Sequence, residues 1–324
     1  MLLLLALAAI ATPAWAAAPA GAGPTARPPS PAANGADADP APSPDAVYEF
    51  GRTLFDQYAP PEVKAQVEFP SKEQWDEFAA RLQRALQGDS LEELATYEPE
   101  ARAALAALRS LPGYEDYADW LAERLDLVEA AGPAAREPPA APAPGGPSIR
   151  RSLPHYDLWL QRLRDRPPPA GAAGLMPGLR AAFAAEGVPP DLAWLAEVES
   201  AFNPNARSPA GARGLFQLMP DTARAAGLSI RLPDERTDPA KSARAAAKLL
   251  HRLHAVFGGW PLALAAYNAG EGRVSRALAA NRATTFAEVA RALPAETRLY
   301  VPKVYATIAV RTGAAPDGLA AQKD

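Results

Sequence analysis

Glu199 is the side chain whose setting most suggests chemistry. After Pro189-Pro190-Asp191, with Asp191 as N-cap, the spacing predicts a helix over Asp191–Phe202. At about 100° per residue, Leu192, Leu195, Val198 and Phe202 form one apolar arc, and Glu199 falls inside it. Glu197 projects about 160° away, toward solvent. A carboxyl on the buried face breaks the hydrophobic pattern. Desolvation would raise its pKa, so that it keeps a proton near neutrality and acts as a general acid. A structural glutamate paired with an arginine of a neighbouring helix is the other reading, and helical position alone leaves both open.

The elements that must position Glu199 are helical. No alternating strand of useful length occurs between Ile149 and Thr312. Breakers and periodicity place further helices at Met176–Glu186, Pro220–Ala226, Pro239–Phe257, Trp260–Asn268, Arg273–Ala280, Phe286–Leu293 and Glu296–Val310. Asn203–Gly214 is irregular, broken by Pro204, Pro209, Gly211 and Gly214, and suits a short sheet or a wide loop. Upstream, an acidic helical module is expected over residues 45–131. It includes a capping box at Ser71-Lys72-Glu73-Gln74 and helical patterns at Leu91–Leu94, Ala101–Leu108 and Tyr117–Val128. Its carboxylates read as solvated, and no catalytic constellation is visible in it.

Composition marks the boundaries. Of the 36 prolines, 14 fall in two runs rich in Ala, Pro and Gly, residues 17–44 and 132–148, expected as disordered linkers. Met1 to Ile10 is apolar but too short to span a bilayer comfortably, and Ala14-x-Ala16 fits a secretory cleavage site. Residues 1–16 are therefore expected to be a signal peptide. The mature chain would be exported to the periplasm or cell envelope, with no integral membrane segment. Residues 149–313 form the expected catalytic domain, and 314–324 a tail. Charge is asymmetric: residues 45–132 carry 8 Lys/Arg against 19 Asp/Glu, and residues 150–312 carry 22 against 13. This suggests two modules meeting different surroundings.

With no cysteine in the chain, disulfide scaffolds, thiolate zinc sites, iron–sulfur clusters and thiol nucleophiles are excluded. Of the three histidines, His251 and His254 stand three apart on a long helix without a third ligand, so neither a metal nor another cofactor is expected. Arg150-Arg151 and Arg162/Arg164/Arg166 lack the interleaved aromatics of an RNA-binding surface; a solvated basic face is expected, and no nucleic-acid partner.

A series of short motifs carries a resemblance. Glu199-Ser200 is followed by Asn203-Pro204, Ser208-Pro209-Ala210-Gly211-Ala212 and Gly214-Leu215-Phe216-Gln217-Leu218-Met219-Pro220. Ala266-Tyr267-Asn268-Ala269-Gly270 and Glu296-Thr297-Arg298-x-Tyr300-Val301-Pro302 come next. In this order the motifs resemble the core signature of the soluble lytic murein transglycosylases (the SLT domain), most of all the membrane-bound type D branch. The match covers roughly residues 175–312. Relatives in that branch often carry LysM modules and a lipid anchor; this sequence shows no LysM module and no lipidation cysteine.

The resemblance implies a mainly α, lysozyme-like catalytic domain with a groove for peptidoglycan glycan strands. It places the family's single catalytic carboxylate on Glu199. That group would protonate the glycosidic oxygen between N-acetylmuramic acid and N-acetylglucosamine, then draw the proton from the muramic 6-hydroxyl to close a 1,6-anhydro ring without water. It further implies substrate-binding roles for Ser208, Gln217, Met219, Tyr267, Asn268 and Glu296. Read from the residues alone, Ser208 is equally a turn former and Met219 a packing residue. Gln217 has an amide able to bond an N-acetyl group or orient Glu199, Tyr267 a hydroxyl able to bond Glu199, and Glu296 is as readily structural. The scarcity of nearby acids agrees with one-carboxylate chemistry. Ordinary glycoside hydrolysis uses a second carboxylate roughly 5–9 Å from the first. Residues 200–220 contain no Asp or Glu, and Asp221, Asp234 or Asp238 would have to reach the groove through folding. A hydrolase on the same fold and a non-catalytic peptidoglycan-binding scaffold are the alternatives.

Overall fold

The computed structural model describes residues 84–109, 115–137, 153–208, 211–315 and 317–321. The expected signal peptide, the first linker, the capping box at Ser71 and residues 138–148 of the second linker lie outside the described residues.

The acidic segment supplies α1 (Leu91–Ala95), α2 (Glu98–Arg109) and α3 (Glu115–Arg136). Ser90 caps α1 by accepting from the backbone N–H of Glu93 at 3.0 Å. Both α1 and α2 pack along α3. The second linker does not begin at Gly132 as expected: α3 continues through Gly132 and Pro133 to Arg136. A proline inside a helix removes one backbone hydrogen bond. Here Ala130, Ala131 and Ala134 bury their small side chains, and a Cβ on Gly132 would stand 3.6 Å from that of Ala95. Close packing of this face offsets the lost bond.

The remaining chain forms α4 (Tyr156–Leu163), α5 (Ala172–Ala185), α6 (Leu195–Ser200), α7 (Pro220–Ala225), α8 (Pro239–Phe257), α9 (Trp260–Ala269), α10 (Glu271–Asn281), α11 (Phe286–Val289), α12 (Ala295–Thr312) and α13 (Asp317–Ala321). As expected, the fold is mainly α. Among the described residues the only β pairing is a pair of isolated antiparallel bridges, Arg207 with Arg213 and Arg213 with Leu218, in the irregular stretch. The sequence reading drew no helix at α4, although Tyr156, Trp159 and Leu163 recur at helical spacing and are buried.

Helix α12 is the axis of the structure. From Ala295 to Ile308 every residue except Glu296 is buried, the polar Thr297, Arg298, Lys303 and Thr307 among them. It packs against α3, α4, α6, α9 and the 3-10 turn Pro190–Trp194. Its Glu296, Tyr300 and Lys303, spaced by about one turn each, share one face.

The two charged segments do not meet separate surroundings; they meet each other. Arg162 pairs with Asp126 at 3.2 Å and Glu129 at 2.8 Å, and Arg166 reaches Asp126 at 3.0 Å. Lys303 contacts Asp126 at 2.9 Å and Glu123 at 3.2 Å. Leu127 and Val128 of α3 join the same core as Trp159, Leu195 and Val304. Of the arginines expected on a solvated basic face, Arg162 and Arg166 instead partner α3 carboxylates across this contact, Arg164 is exposed, and Arg150 and Arg151 lie outside the described residues.

Candidate active site

Glu199 lies in the last turn of α6, which is only six residues long. The expected helix over Asp191–Phe202 divides into a 3-10 turn, Pro190–Trp194, and α6. Asp191 is not an N-cap; it pairs with Arg180 at 2.8 Å. Ala201 and Phe202 both take positive φ, 47° and 63°, and reverse the chain directly after the acid. The Ser200 hydroxyl shares its proton between the carbonyls of Ala196, at 3.1 Å, and Leu215, at 3.0 Å, fastening this helix end to the following loop.

That loop is held from outside. Asp234 accepts from Arg213 at 2.9 Å and from two nitrogens of Arg236 at 3.0 and 2.8 Å; Arg236 donates onward to the carbonyls of Gly211 and Leu218. Gly214 permits the approach, since a Cβ there would lie 1.9 Å from the Arg236 carbonyl oxygen. The distant acids are thereby accounted for. Asp234 is committed to arginines, Asp238 caps α8 by accepting from the Lys241 N–H at 2.9 Å, and Asp221 pairs with Arg224 on the surface.

Glu197 does not face solvent. It is buried and receives both arms of Arg311, at 2.9 and 2.6 Å. The two acids of α6 thus have opposite fates: Glu197 is neutralised by a cation, and Glu199 opens onto a recess of about 260 Å³. Its walls are Glu123, Arg124 and Leu127 from α3, Val198 and Glu199 from α6, Asn268 from α9, and Glu296, Tyr300 and Lys303 from α12.

The Tyr300 hydroxyl donates a short hydrogen bond to Oε1 of Glu199. Glu199 keeps some surface toward the recess, but its surroundings are dry enough that burial pushes its pKa up to about 7. The bond from Tyr300 and the charge of Arg124 oppose that rise, whereas Glu296 and Glu123 add to it. Arg124 and Glu296 pair at 3.3 Å beside the acid. Burial would lower the pKa of Lys303, but Asp126 and Glu123 outweigh it and hold the ammonium charged.

Of the residues singled out from sequence, Glu199, Asn268 and Glu296 line one recess. Asn268 Oδ1 accepts from Thr297 Oγ1 at 2.7 Å, which fixes the orientation of its amide. Tyr267 does not bond Glu199; its hydroxyl donates to the Phe216 carbonyl at 2.6 Å and ties α9 to the loop. The Gln217 amide turns away from the acid and donates to the carbonyls of Ala206 and Gly214, at 3.3 and 3.0 Å. Ser208 closes a turn, its oxygen accepting from the Ala212 N–H at 3.0 Å. Met219 is exposed at the start of α7. Of the two spaced histidines, His254 stacks on Trp260 with ring centroids 4.0 Å apart.

Sequence reasoning missed Tyr300, Lys303, Glu123 and Arg124. Tyr300 stood inside a motif already quoted, one turn after Glu296. The α3 residues carried no local signal beyond the opposed charge of the two segments. They also overturn the apparent scarcity of acids, because Glu123 and Glu296 share the recess with Glu199.

Residues 179–289 match the Transglycosylase SLT domain family. The chain carries an SLT domain. The chain is 45% identical over 125 residues to the membrane-bound lytic murein transglycosylase D of Escherichia coli K12, a stretch covering 37% of this chain and 27% of that protein. To the soluble lytic murein transglycosylase of Salmonella typhimurium it is 38% identical over 120 residues, covering 35% and 19% respectively. A solved lytic transglycosylase Slt from Pseudomonas aeruginosa aligns with 82% of this chain and 49% of its own at 22% identity and a TM-score of 0.39. The chain thus spans about a quarter of the length of the type D relative. Glu199, Tyr267 and Asn268 fall inside the SLT domain; Glu296 and Tyr300 follow it, and α3 precedes it. Among the described residues no helix is long and apolar enough to cross a membrane.

Proposed function

We propose that the protein is a peptidoglycan lytic transglycosylase of the cell envelope, acting in wall remodelling or turnover, with Glu199 as its acid and then its base. The observation that carries this reading is a carboxyl held near pKa 7, hydrogen-bonded by Tyr300, in a recess within the SLT domain and its flanks. A carboxyl poised at that value holds a proton in a large fraction of molecules at neutral pH and still releases it readily.

The glycosidic oxygen leaving N-acetylmuramic acid takes the Glu199 proton as the C1–O bond breaks. The carboxylate so formed then accepts the proton of the muramic 6-hydroxyl while its oxygen bonds C1. One proton is donated and one regained, no water is consumed, and the product carries a 1,6-anhydro ring. Tyr300 stabilises the carboxylate between the two transfers. Asn268, its oxygen already committed to Thr297, retains two N–H donors suited to a carbonyl such as an acetamido oxygen. Tyr267, Gln217 and Ser208 support the site by shaping the loop, and Met219 offers an exposed apolar surface at the start of α7.

A second reading, a lysozyme-type hydrolase, is favoured by one observation: Glu123 and Glu296 share the recess. In that case one of them would direct a water or attack C1. The SLT match and the names of the relatives favour the lyase. Mass spectrometry of muropeptides released from purified sacculi separates the two, since anhydro and reducing products differ by one water. Reducing ends alone would overturn the lyase. Undiminished release by Glu199→Gln would remove Glu199 from either mechanism.

A further inference from the structure

Helix α3 lies outside the SLT domain, yet it forms one wall of the recess that holds the acid. We propose that Arg124 of α3 is a positioning residue of this site: paired with Glu296 across the recess, it balances the charge facing Glu199 and so sets the pH range over which the acid keeps its proton. This rests on the reading of Glu199 as the proton donor.

The argument begins with what else faces Glu199. From α3 come Glu123 and Arg124, with Asp126 on the same helix; from α12 come Glu296, Tyr300 and Lys303, with Arg298 and Arg311 farther along the helix. Tyr267 approaches from α9, and Asp191 stands on the preceding 3-10 turn. Most of these charges are committed elsewhere. Lys303 is held between Asp126 and Glu123, and Asp126 also receives Arg162 and Arg166. Glu197, on the same helix as Glu199, is closed by Arg311; Asp191 pairs with Arg180; Arg298 donates to the Asp89 carbonyl at 2.6 Å.

Arg124 and Glu296 differ in that their pair is itself part of the recess wall. The two side chains are similarly exposed, 21% and 22%, and the contact links α3 to α12 directly beside the acid. The guanidinium favours the ionised form of Glu199, and the carboxylate opposes it. Removing either takes away one of these two opposed effects, so the two deletions act on Glu199 with opposite signs. A residue needed only to hold α3 in place would not behave this way, because loss of packing has no sign.

The test uses the full chain and initial rates of muropeptide release from purified sacculi between pH 5 and 9, with folding checked by thermal unfolding. Protonated Glu199 is the donor, so the wild-type rate should fall as pH rises through about 7. In Arg124→Gln this alkaline limb should move up by about half a pH unit, and in Glu296→Gln down by a similar amount. The double variant should return close to wild type, and Arg124→Lys should keep the wild-type limb. If Arg124→Gln does not fold, Glu296→Gln carries the test, because it keeps the arginine and removes the carboxylate that opposes it at Glu199; an unmoved limb there overturns the proposal. Shifts in the same direction, or lower rates at an unchanged limb, overturn it equally. A wild-type enzyme that releases no muropeptides sinks the reading of Glu199 and this proposal together. An active wild type whose limb ignores both substitutions sinks this proposal alone.

Discussion

Glu199→Gln should stabilise the protein, by an amount that grows as pH rises from about 4.5 to 7. The unfolded-state pKa of this carboxyl is near 4.5, and in the folded protein it is raised to about 7. Between those values the native state binds more protons than the unfolded one, so stability falls as pH rises. The favourable contribution is complete below the unfolded value and is lost as pH passes through the folded one. A difference of about 2.5 units corresponds to about 3 kcal/mol above pH 8. Glutamine has nearly the shape of the protonated acid and can still accept from Tyr300, but it cannot ionise. Wild type and variant should therefore differ by less than about 1 kcal/mol at pH 5. At pH 8 the variant should be more stable by about 3 kcal/mol, a rise in Tm of roughly 6–12 °C for a domain of this size. Activity should fall by about 100-fold or more at both pH values, as expected when a general acid is removed. Thermal and denaturant unfolding at the two pH values provide the assay. An equal stability difference at pH 5 and pH 8 would show that Glu199 is not desolvated, and the account of its chemistry would fall with it.

Four further outcomes follow from particular contacts. Gly214→Ala should be destabilising by about 4 kcal/mol or more, because φ is 80° and the new Cβ would meet the Arg236 carbonyl; denaturant unfolding measures it, and a mild effect would mean the loop can move. Arg311→Ala should cost about 3–5 kcal/mol by leaving Glu197 buried and unpaired, whereas replacing both partners by apolar residues of similar volume should recover most of the loss. Lys303→Met should cost a similar 3–5 kcal/mol and expose α3 to limited proteolysis, since Asp126 and Glu123 lose their shared cation. Burial by itself would raise the Asp126 pKa, but Lys303 and Arg166 hold it well below the usual carboxylate range. Its contribution is therefore present above about pH 4 and lost as pH falls below it, so Asp126→Asn should flatten the acid side of the stability profile.

The helices of the SLT region were legible because their signals are local. Pro239–Phe257 was bounded to the residue by a capping aspartate, a proline in the first turn and a terminal glycine. The anomalous acid on the apolar face of α6 was legible for the same reason, since a violation of helical periodicity can be counted along a single strand of text. Tyr300 was half-legible: the motif contained it, but nothing local says that its hydroxyl reaches an acid 101 residues earlier.

The rest depended on contacts between segments far apart in the chain. Glu197 and Glu199 are two residues apart and chemically identical, and the wheel placed Glu197 in water; Arg311 puts it in the core instead. Asp126, Glu123, Arg162 and Arg166 each look like solvated charge, because charged side chains are exposed unless paired, and pairing is a property of neighbours in space. Residue types and local order fixed the helices and named the acid. Only tertiary packing decided which acid is dry, which cation stands beside it, and that α3 belongs to its wall, because desolvation and Coulomb fields depend on distances that chain order does not contain.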